Sequence, residues 1–142
     1  MPKLFATLLV IVSLSLAAHA LADTAESHYA NGVELLKKKQ LDQAIPEFTR
    51  ALEINSRFAE AYALRGTVYG AKGQFNKAIV DSTMALEINP KLAPAYQTRA
   101  IGYFAKRRFN QAWDDVHQAQ SLGFKVDPKF LEKLRRGSGR QN

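Results

Sequence analysis

The feature that most constrains the fold is a repeat, because the chain returns to nearly the same residues every 34 positions. The segment NKAIVDSTMALEINP, which begins at Asn76, is preceded one period earlier by DQAIPEFTRALEINS and followed one period later by NQAWDDVHQAQSLGF. Small residues coincide in all three copies, at Ala44, Ala78 and Ala112 and again at Gly32, Gly66 and Ala100. A period of this length indicates stacked units that share one continuous core.

Each copy predicts two helices joined by a short turn. In the second copy, Ala59, Tyr62, Gly66 and Tyr69 recur at steps of three and four residues, which places them on one helical face. Glycine or alanine at the contact between two helices lets their backbones approach closely. We therefore predict an all-α solenoid of three helix-turn-helix units.

The second helix of each copy is expected to begin at a capping side chain. Asp42, Asn76 and Asn110 hold the same place in the three copies, and a short polar side chain can accept a hydrogen bond from a free amide of the first turn. This start would place Pro46 within the first turn, where a missing amide costs little.

A further helix is predicted after the third copy. Asp127 can cap it, Pro128 suits its first position, and Phe130, Leu131 and Leu134 form an apolar stripe. We expect a capping helix over residues 127–136 that closes the end of the stack, followed by a disordered tail over residues 137–142.

The three copies resemble the tetratricopeptide repeat, whose pattern is W-x2-L-G-x2-Y, then A-x3-F, an alanine and a late proline. The pattern is carried by Gly32, Leu35, Ala44, Phe48 and Ala51 in copy one, by Tyr62, Gly66, Tyr69, Ala78, Ala85 and Pro90 in copy two, and by Tyr96, Ala100, Tyr103, Ala112 and Ala119 in copy three. The usual Trp place holds His28, Tyr62 and Tyr96, and the usual Leu place holds Asn31, Arg65 and Arg99. The resemblance implies a right-handed α-solenoid with repeats at residues 25–58, 59–92 and 93–126, and binding of a partner.

The first residues are typical of a secretory signal peptide. Lys3 precedes an uncharged apolar run from Leu4 to Ala18, and small residues follow, with cleavage expected after Ala20 or Ala22. The alternative is an uncleaved anchor, although the run is short and interrupted by serine. The chain has no cysteine, which excludes disulfides and thiolate chemistry. We expect residues 1–22 to be a signal and the protein to be bacterial and exported, either periplasmic or secreted.

No group of residues suggests catalysis, a cofactor or a metal site. His28 and His117 have no acidic or histidine partner at ligand spacing, so packing or surface roles are expected for them. Asp114 and Asp115 are adjacent in sequence, and we interpret them as a solvated start of a helix. The chain is therefore predicted not to be an enzyme, with no cofactor and no metal.

In the family that the copies resemble, the first helices line a concave wall that holds a peptide or a partner helix. We call the side chains predicted to line this wall the concave groove: Tyr29, Val33, Leu36, Leu64, Thr67, Thr98, Ile101 and Phe104. The groove is mostly apolar, which suits an amphipathic helix or an extended apolar peptide.

The residues that grip acidic C-terminal peptides in some members of this family are not predicted here. The corresponding places hold Glu26, Ala30, Glu60, Leu64, Pro94 and Thr98 instead of Lys, Asn and Arg. An alternative is that the capping helix or a second copy of the chain covers Ile101 and Phe104.

Cations of equivalent turns are predicted to align on one side of the stack. We call this set the basic edge: Lys37, Lys38, Lys39, Lys72, Lys106, Arg107 and Arg108. An acidic protein or an anionic lipid surface would suit it, and so would a merely solubilising role. Nucleic acid is not expected, since export is predicted and aromatic residues do not alternate with the cations.

These expectations converge on a non-enzymatic exported adaptor that binds a helix or peptide of another protein in an apolar groove. The alternative is a structural subunit of an envelope assembly that self-associates, as a homodimer for example, through Ile101, Phe104 and the capping helix.

Overall fold

The computed structural model describes residues 23–140. Within that range the chain forms seven α-helices, which we number in chain order: α1 Ala25–Lys37, α2 Leu41–Ile54, α3 Ala59–Ala71, α4 Phe75–Ile88, α5 Ala93–Ala105, α6 Phe109–Ser121 and α7 Pro128–Ser138. The predicted signal peptide at residues 1–22 lies outside the described residues.

The helices pair within each repeat and then stack. The pairs α1–α2, α3–α4 and α5–α6 pack most extensively, and each second helix also packs on the first helix of the following repeat. The first helices α1, α3 and α5 contact one another along the stack, and α7 contacts α5 and α6. The predicted all-α solenoid of helix-turn-helix repeats with a C-terminal helix is therefore confirmed.

Small residues set the spacing of the paired helices. Ala44, Ala78 and Ala112 are each 0% exposed in the α1–α2, α3–α4 and α5–α6 contacts. A Cβ atom added at Gly32 would lie 2.7 Å from Cε1 of Phe48, so the ring of Phe48 packs directly on the α1 backbone. The close approach predicted from the repeated glycine and alanine is thus present.

The prediction that Asp42, Asn76 and Asn110 cap the second helices is wrong. The N-cap positions lie two residues earlier, at Gln40, Gln74 and Arg108, and none of the three makes a side-chain capping hydrogen bond.

The turn backbone determines where these helices begin. In the first repeat, the Lys39 amide donates to the Leu36 carbonyl over 2.9 Å and the Gln40 amide donates to the Leu35 carbonyl over 2.9 Å. This pair of bonds is the Schellman motif, which closes the end of α1. Since the last residue of the motif is also the N-cap of α2, the second helix starts at once and needs no capping side chain.

The position predicted for Pro46 is also wrong. Because α2 begins at Leu41, Pro46 is its sixth residue, beyond the first turn. An amide there would have donated to the Asp42 carbonyl, so the proline removes one helical hydrogen bond.

The C-terminal helix starts as predicted and ends later. The Asp127 carboxylate accepts a hydrogen bond from the Lys129 amide over 2.9 Å, and Pro128 is the first helical residue. Gly137 and Ser138 are helical rather than part of a disordered tail, because the indole of Trp113 donates to the Ser138 hydroxyl over 3.1 Å. Gly139, with a φ of 69°, then ends the helix.

Candidate functional site

The first helices form one side of the stack, and the predicted concave groove falls into three groups along it. The group at the N-terminal end contains Tyr29, Val33, Leu36 and Leu64, which are half-buried against a cluster of Ala44, Phe48 and Val68. The Tyr29 ring centre lies 6.0 Å from that of Phe48 and 4.8 Å from that of Phe58. These side chains therefore hold repeats one and two together as well as lining the groove.

The middle group consists of Thr67 and Thr98, which join α3 to α5. Their hydroxyl oxygens lie 3.1 Å apart, and the Thr67 hydroxyl donates to the Ala63 carbonyl over 2.9 Å. The proton between the two threonines is therefore supplied by Thr98, and the floor of the groove at this point is polar.

The third group, Ile101 and Phe104, lies in a pocket between α5 and α7. We call it the cap pocket; its volume is about 360 Å³, and it is lined by Phe75, Ile101, Phe104, Ala105, Asp127, Lys129, Phe130 and Lys133. Phe104 packs edge-on against Phe130, with ring centres 5.9 Å apart and planes at 86°.

The capping helix covers this group only in part. Ile101 and Phe104 are half-buried and pack against the same cluster as α7, and both still line the pocket. The cap pocket is thus an open apolar depression at the end of the groove, and sequence reasoning did not anticipate that Phe75 and the lysines of α7 would border it.

Two buried ion pairs were also missed. Arg65 forms a bidentate ion pair with Asp81, in which Nε lies 2.7 Å from Oδ2 and Nη2 lies 2.9 Å from Oδ1. Arg99 binds Asp115 in the same way over 2.9 and 2.7 Å. The interpretation of Asp115 as a solvated helix start is wrong, since this residue is 4% exposed, whereas Asp114 is exposed.

Each of these arginines also joins its repeat to the previous one. The remaining nitrogen of Arg65 donates to the Thr49 hydroxyl of α2 over 3.0 Å, and the guanidinium lies 5.6 Å from the Tyr62 ring and 5.9 Å from the Tyr69 ring. The Asp81 carboxylate raises the pKa of Arg65, since it hydrogen-bonds the charged form. The recurrence of arginine, aspartate and threonine at the period of the repeat was the sequence signal for this arrangement.

His28 has acidic partners that its sequence neighbours did not reveal. Its Nδ1 lies 2.8 Å from Oε2 of Glu47, and its Nε2 lies 2.9 Å from Oδ1 of Asp23. The hydrogen bond to Asp23, followed by that to Glu47, raises the pKa of His28. The prediction that His28 lacks an acidic partner is therefore wrong. Among residues 23–140, no group of His, Asp and Glu has the arrangement of a metal site.

Two cations of the basic edge form ion pairs with carboxylates. Lys37 pairs with Glu34 over 2.7 Å, and Lys72 pairs with Asp42 of the preceding repeat. The Arg108 guanidinium lies 4.8 Å from the Tyr103 ring. Lys38, Lys39 and Lys106 make no ion pair with any carboxylate in the part of the chain that the structure describes.

Comparison with known proteins agrees with this architecture. The family model of the tetratricopeptide repeat matches residues 25–58 and 59–92. No curated protein sequence matches the chain closely enough to count as a relative. Within residues 23–140, no helix has both the length and the apolar character needed to cross a membrane.

Solved structures share the fold at low sequence identity. The chain is similar to the TPR domain of Arabidopsis OM64, with 24% identity and a TM-score of 0.75 over 82% of this chain and 96% of that one. It is similar to the first TPR of Spaghetti (RPAP3) bound to the HSP90 peptide SRMEEVD, with 22% identity and a TM-score of 0.73 over 81% and 90% of the two chains. It is also similar to the TPR2B domain of yeast Sti1 in its pHsp70 complex, with 21% identity and a TM-score of 0.71 over 83% and 98%.

Two matched repeats, a third repeat in the same register and the fold shared with these domains identify residues 25–126 as three tetratricopeptide repeats.

Proposed function

We propose that the protein is a non-enzymatic exported adaptor that binds a helix or an extended peptide of another protein along the concave groove. The observation that carries this proposal is the half-buried pair Ile101 and Phe104, which lines an open apolar pocket. Apolar surface that a monomer leaves open is characteristic of interaction sites, and a groove of this kind suits an apolar peptide face.

The solved neighbours support protein binding as the function. The Spaghetti domain is bound to an HSP90 peptide, and the yeast domain is in a pHsp70 complex. The places that would hold the basic clamp for such acidic peptides are occupied in this chain by Ala30, Leu64 and Thr98, among others. The partner proposed here is accordingly a segment that presents apolar side chains to the groove.

Export is part of the proposal and rests on the sequence alone. The support is Lys3, the apolar run from Leu4 to Ala18 and the small residues before Asp23. N-terminal sequencing of the protein from its native host tests it. A mature protein beginning at Leu21 or Asp23 is the expected result, and an intact Met1 on protein recovered from the cytoplasm would refute export.

A peptide selection tests the groove. A display library of helical peptides with one fixed leucine and random flanking positions is selected against residues 23–142 and against the Leu64→Glu, Ile101→Glu double variant. The matched control is Val80→Glu with Leu122→Glu, because these side chains are 60% and 41% exposed outside the groove. Circular dichroism shows whether each variant keeps its helices.

We expect peptides to be selected by the native protein and by the control variant, and binding to be lost in the groove variant. Peptides that bind all three proteins equally would place the binding site elsewhere. If no peptide is selected and sedimentation equilibrium gives a dimer mass, the alternative of a self-associating structural subunit replaces the adaptor.

The basic edge is proposed to attract an acidic partner or an anionic surface before docking. Its support is the set of basic-edge cations that have no carboxylate partner among residues 23–140, namely Lys38, Lys39, Lys106, Arg107 and Arg108. Attraction of this kind acts on the association rate and is screened by salt. A peptide association rate that does not change with ionic strength would leave the basic edge a solubilising role only.

A further inference from the structure

We propose that the cap pocket selects a partner segment in which an apolar side chain stands one helical turn from an aspartate or glutamate, with the apolar group on the floor of the pocket and the carboxylate paired with Lys133. This inference rests on the proposed function and names the chemistry of the partner at one end of the groove.

The first support is the place of Lys133 in the repeat. Helix α7 stands one period after α5, so Lys133 follows Arg99 at the repeat spacing, as Pro128 follows Pro94. Lys133 therefore holds the position at which repeats two and three carry Arg65 and Arg99.

The second support is the difference in what these cations contact. The aspartates that bind Arg65 and Arg99 lie on the second helix of the same repeat, 16 residues further along the chain. Within residues 23–140 no helix follows α7, and Lys133 forms no ion pair with a carboxylate in that range. The Lys133 ammonium is therefore available to pair with a carboxylate of a partner at the cap pocket.

The third support is the composition of the pocket. Phe75, Ile101, Phe104 and Phe130 provide an apolar floor, while Lys129 and Lys133 stand at its border. Asp127 is the one carboxylate that also lines the pocket, and it already accepts the Lys129 amide over 2.9 Å as the cap of α7. The border thus carries more positive than negative charge next to an apolar depression.

These features favour a partner segment with an acidic residue beside its apolar side chain over a segment with a basic residue there. A carboxylate beside the Lys133 ammonium at the border of the pocket would form a charge-assisted hydrogen bond, whereas a lysine there would place like charges together. Selectivity of this kind comes as much from the repelled partner as from the accepted one.

The test uses the fixed-leucine display library and reads the composition of the selected peptides. Against the native protein, we expect aspartate and glutamate one turn from the leucine to be enriched roughly fivefold over lysine and arginine, the ratio that a difference of about 1 kcal/mol gives. Against Lys133→Glu, the preference should reverse toward lysine and arginine. Lys133→Arg should keep the acidic preference.

Two controls separate the pocket from general charge and from general groove binding. Lys91→Glu makes the same change in net charge at an exposed site in the loop before α5, and it should leave the acidic preference intact. Ala105→Trp should fill the pocket and abolish selection, while Ala71→Trp, the equivalent exposed position one repeat earlier, lies outside the pocket and should not.

Selected peptides without an acidic preference, or a preference that Lys133→Glu leaves unchanged, would overturn the inference. If those peptides still fail to bind the Leu64→Glu, Ile101→Glu variant, the proposed function stands without it. If the native protein selects no peptide, the proposed function and the proposed selectivity of the cap pocket are both wrong.

Discussion

Single atoms decide how closely the two helices of a repeat approach. At Gly32 the missing side chain makes room for the Phe48 ring, which is 0% exposed. At Gly70 the nearest atom to an added Cβ would be Cβ of Ala78 at 3.8 Å, which is an ordinary contact. The two glycines therefore have different consequences for packing although both lie within first helices.

We expect Gly32→Ala to destabilise the protein by roughly 1–3 kcal/mol, because the added methyl group overlaps the Phe48 ring. Gly70→Ala is the matched control and should stabilise the protein by roughly 0.5–1 kcal/mol, since alanine is the better helix former. Urea denaturation measures both changes. A stabilising effect of Gly32→Ala would show that α1 and α2 are not in close contact at that point.

A second residue-scale prediction concerns His28 and pH. Its pKa is raised above the ordinary value of 6.5 because the charged ring binds Asp23 and Glu47. A group whose pKa is higher in the folded than in the unfolded state adds stability at low pH, and that stability is lost as the pH rises through the folded pKa.

The free energy of unfolding should therefore fall as the pH rises above about 6.5, where the unfolded histidine has already lost its proton. His28→Gln should remove most of this dependence, whereas His117→Gln, at an exposed position, should retain it. Urea midpoints between mildly acidic and mildly basic pH measure the effect. A native protein whose stability does not change across this range would contradict the contacts assigned to His28.

At the scale of helices, one arrangement recurs in repeats two and three. An arginine of the first helix binds an aspartate of the second helix and a threonine of the preceding second helix. In repeat one, Asn31 and Glu47 hold the equivalent places, with their polar atoms 3.5 Å apart. In the first repeat, the two helices are therefore linked by His28 and Glu47, whereas a bidentate arginine–aspartate pair links the two helices in each of the other repeats.

Removing one member of such a pair leaves a buried charge. We expect Arg99→Met to cost about 3–5 kcal/mol, because Asp115 then has no partner for its carboxylate. The double variant Arg99→Met, Asp115→Leu should recover much of the loss, and a double-mutant cycle by urea denaturation gives the coupling between the two residues. Losses that simply add in the double variant would mean that the pair does not act as a unit.

The turn between the two helices of each repeat contains one residue in the left-handed backbone conformation, and this residue differs among the three repeats. Lys39, Gly73 and Arg107 hold equivalent places with φ angles of 58°, 72° and 57°. Only glycine adopts this left-handed region without a steric penalty, so repeats one and three carry a cation at a position where it is disfavoured.

Gly73→Arg should therefore cost about 1 kcal/mol, and Arg107→Gly should raise stability by less than about 1 kcal/mol, because glycine also gives the unfolded chain more freedom. Thermal denaturation of both variants measures the difference. A loss of stability in Arg107→Gly would indicate that the Arg107 guanidinium, 5.8 Å from the Phe109 ring, contributes more than its backbone costs.

For the whole molecule, periodicity in the sequence predicts the repeat number, the helix pairing and the stack, because the same small and large residues return at one spacing. It does not predict the starts of α2, α4 and α6, which depend on backbone hydrogen bonds in the turns. Nor does it predict the contact of His28 with Glu47 or the burial of Asp115 against Arg99, since these partners are 19 and 16 residues apart in sequence. The cap pocket was missed for the same reason, because it combines α5 with residues of α4 and α7.

Peptide binding in the concave groove can be located residue by residue with amide chemical-shift mapping. A peptide selected against the native protein is added to nitrogen-15-labelled residues 23–142. We expect the largest shifts at Thr98, Ile101 and Phe104 and at the facing residues of α7, while Val80 and its neighbours on α4 stay unchanged. Shifts confined to the second helices or to the turns of the basic edge would show that the peptide binds outside the groove.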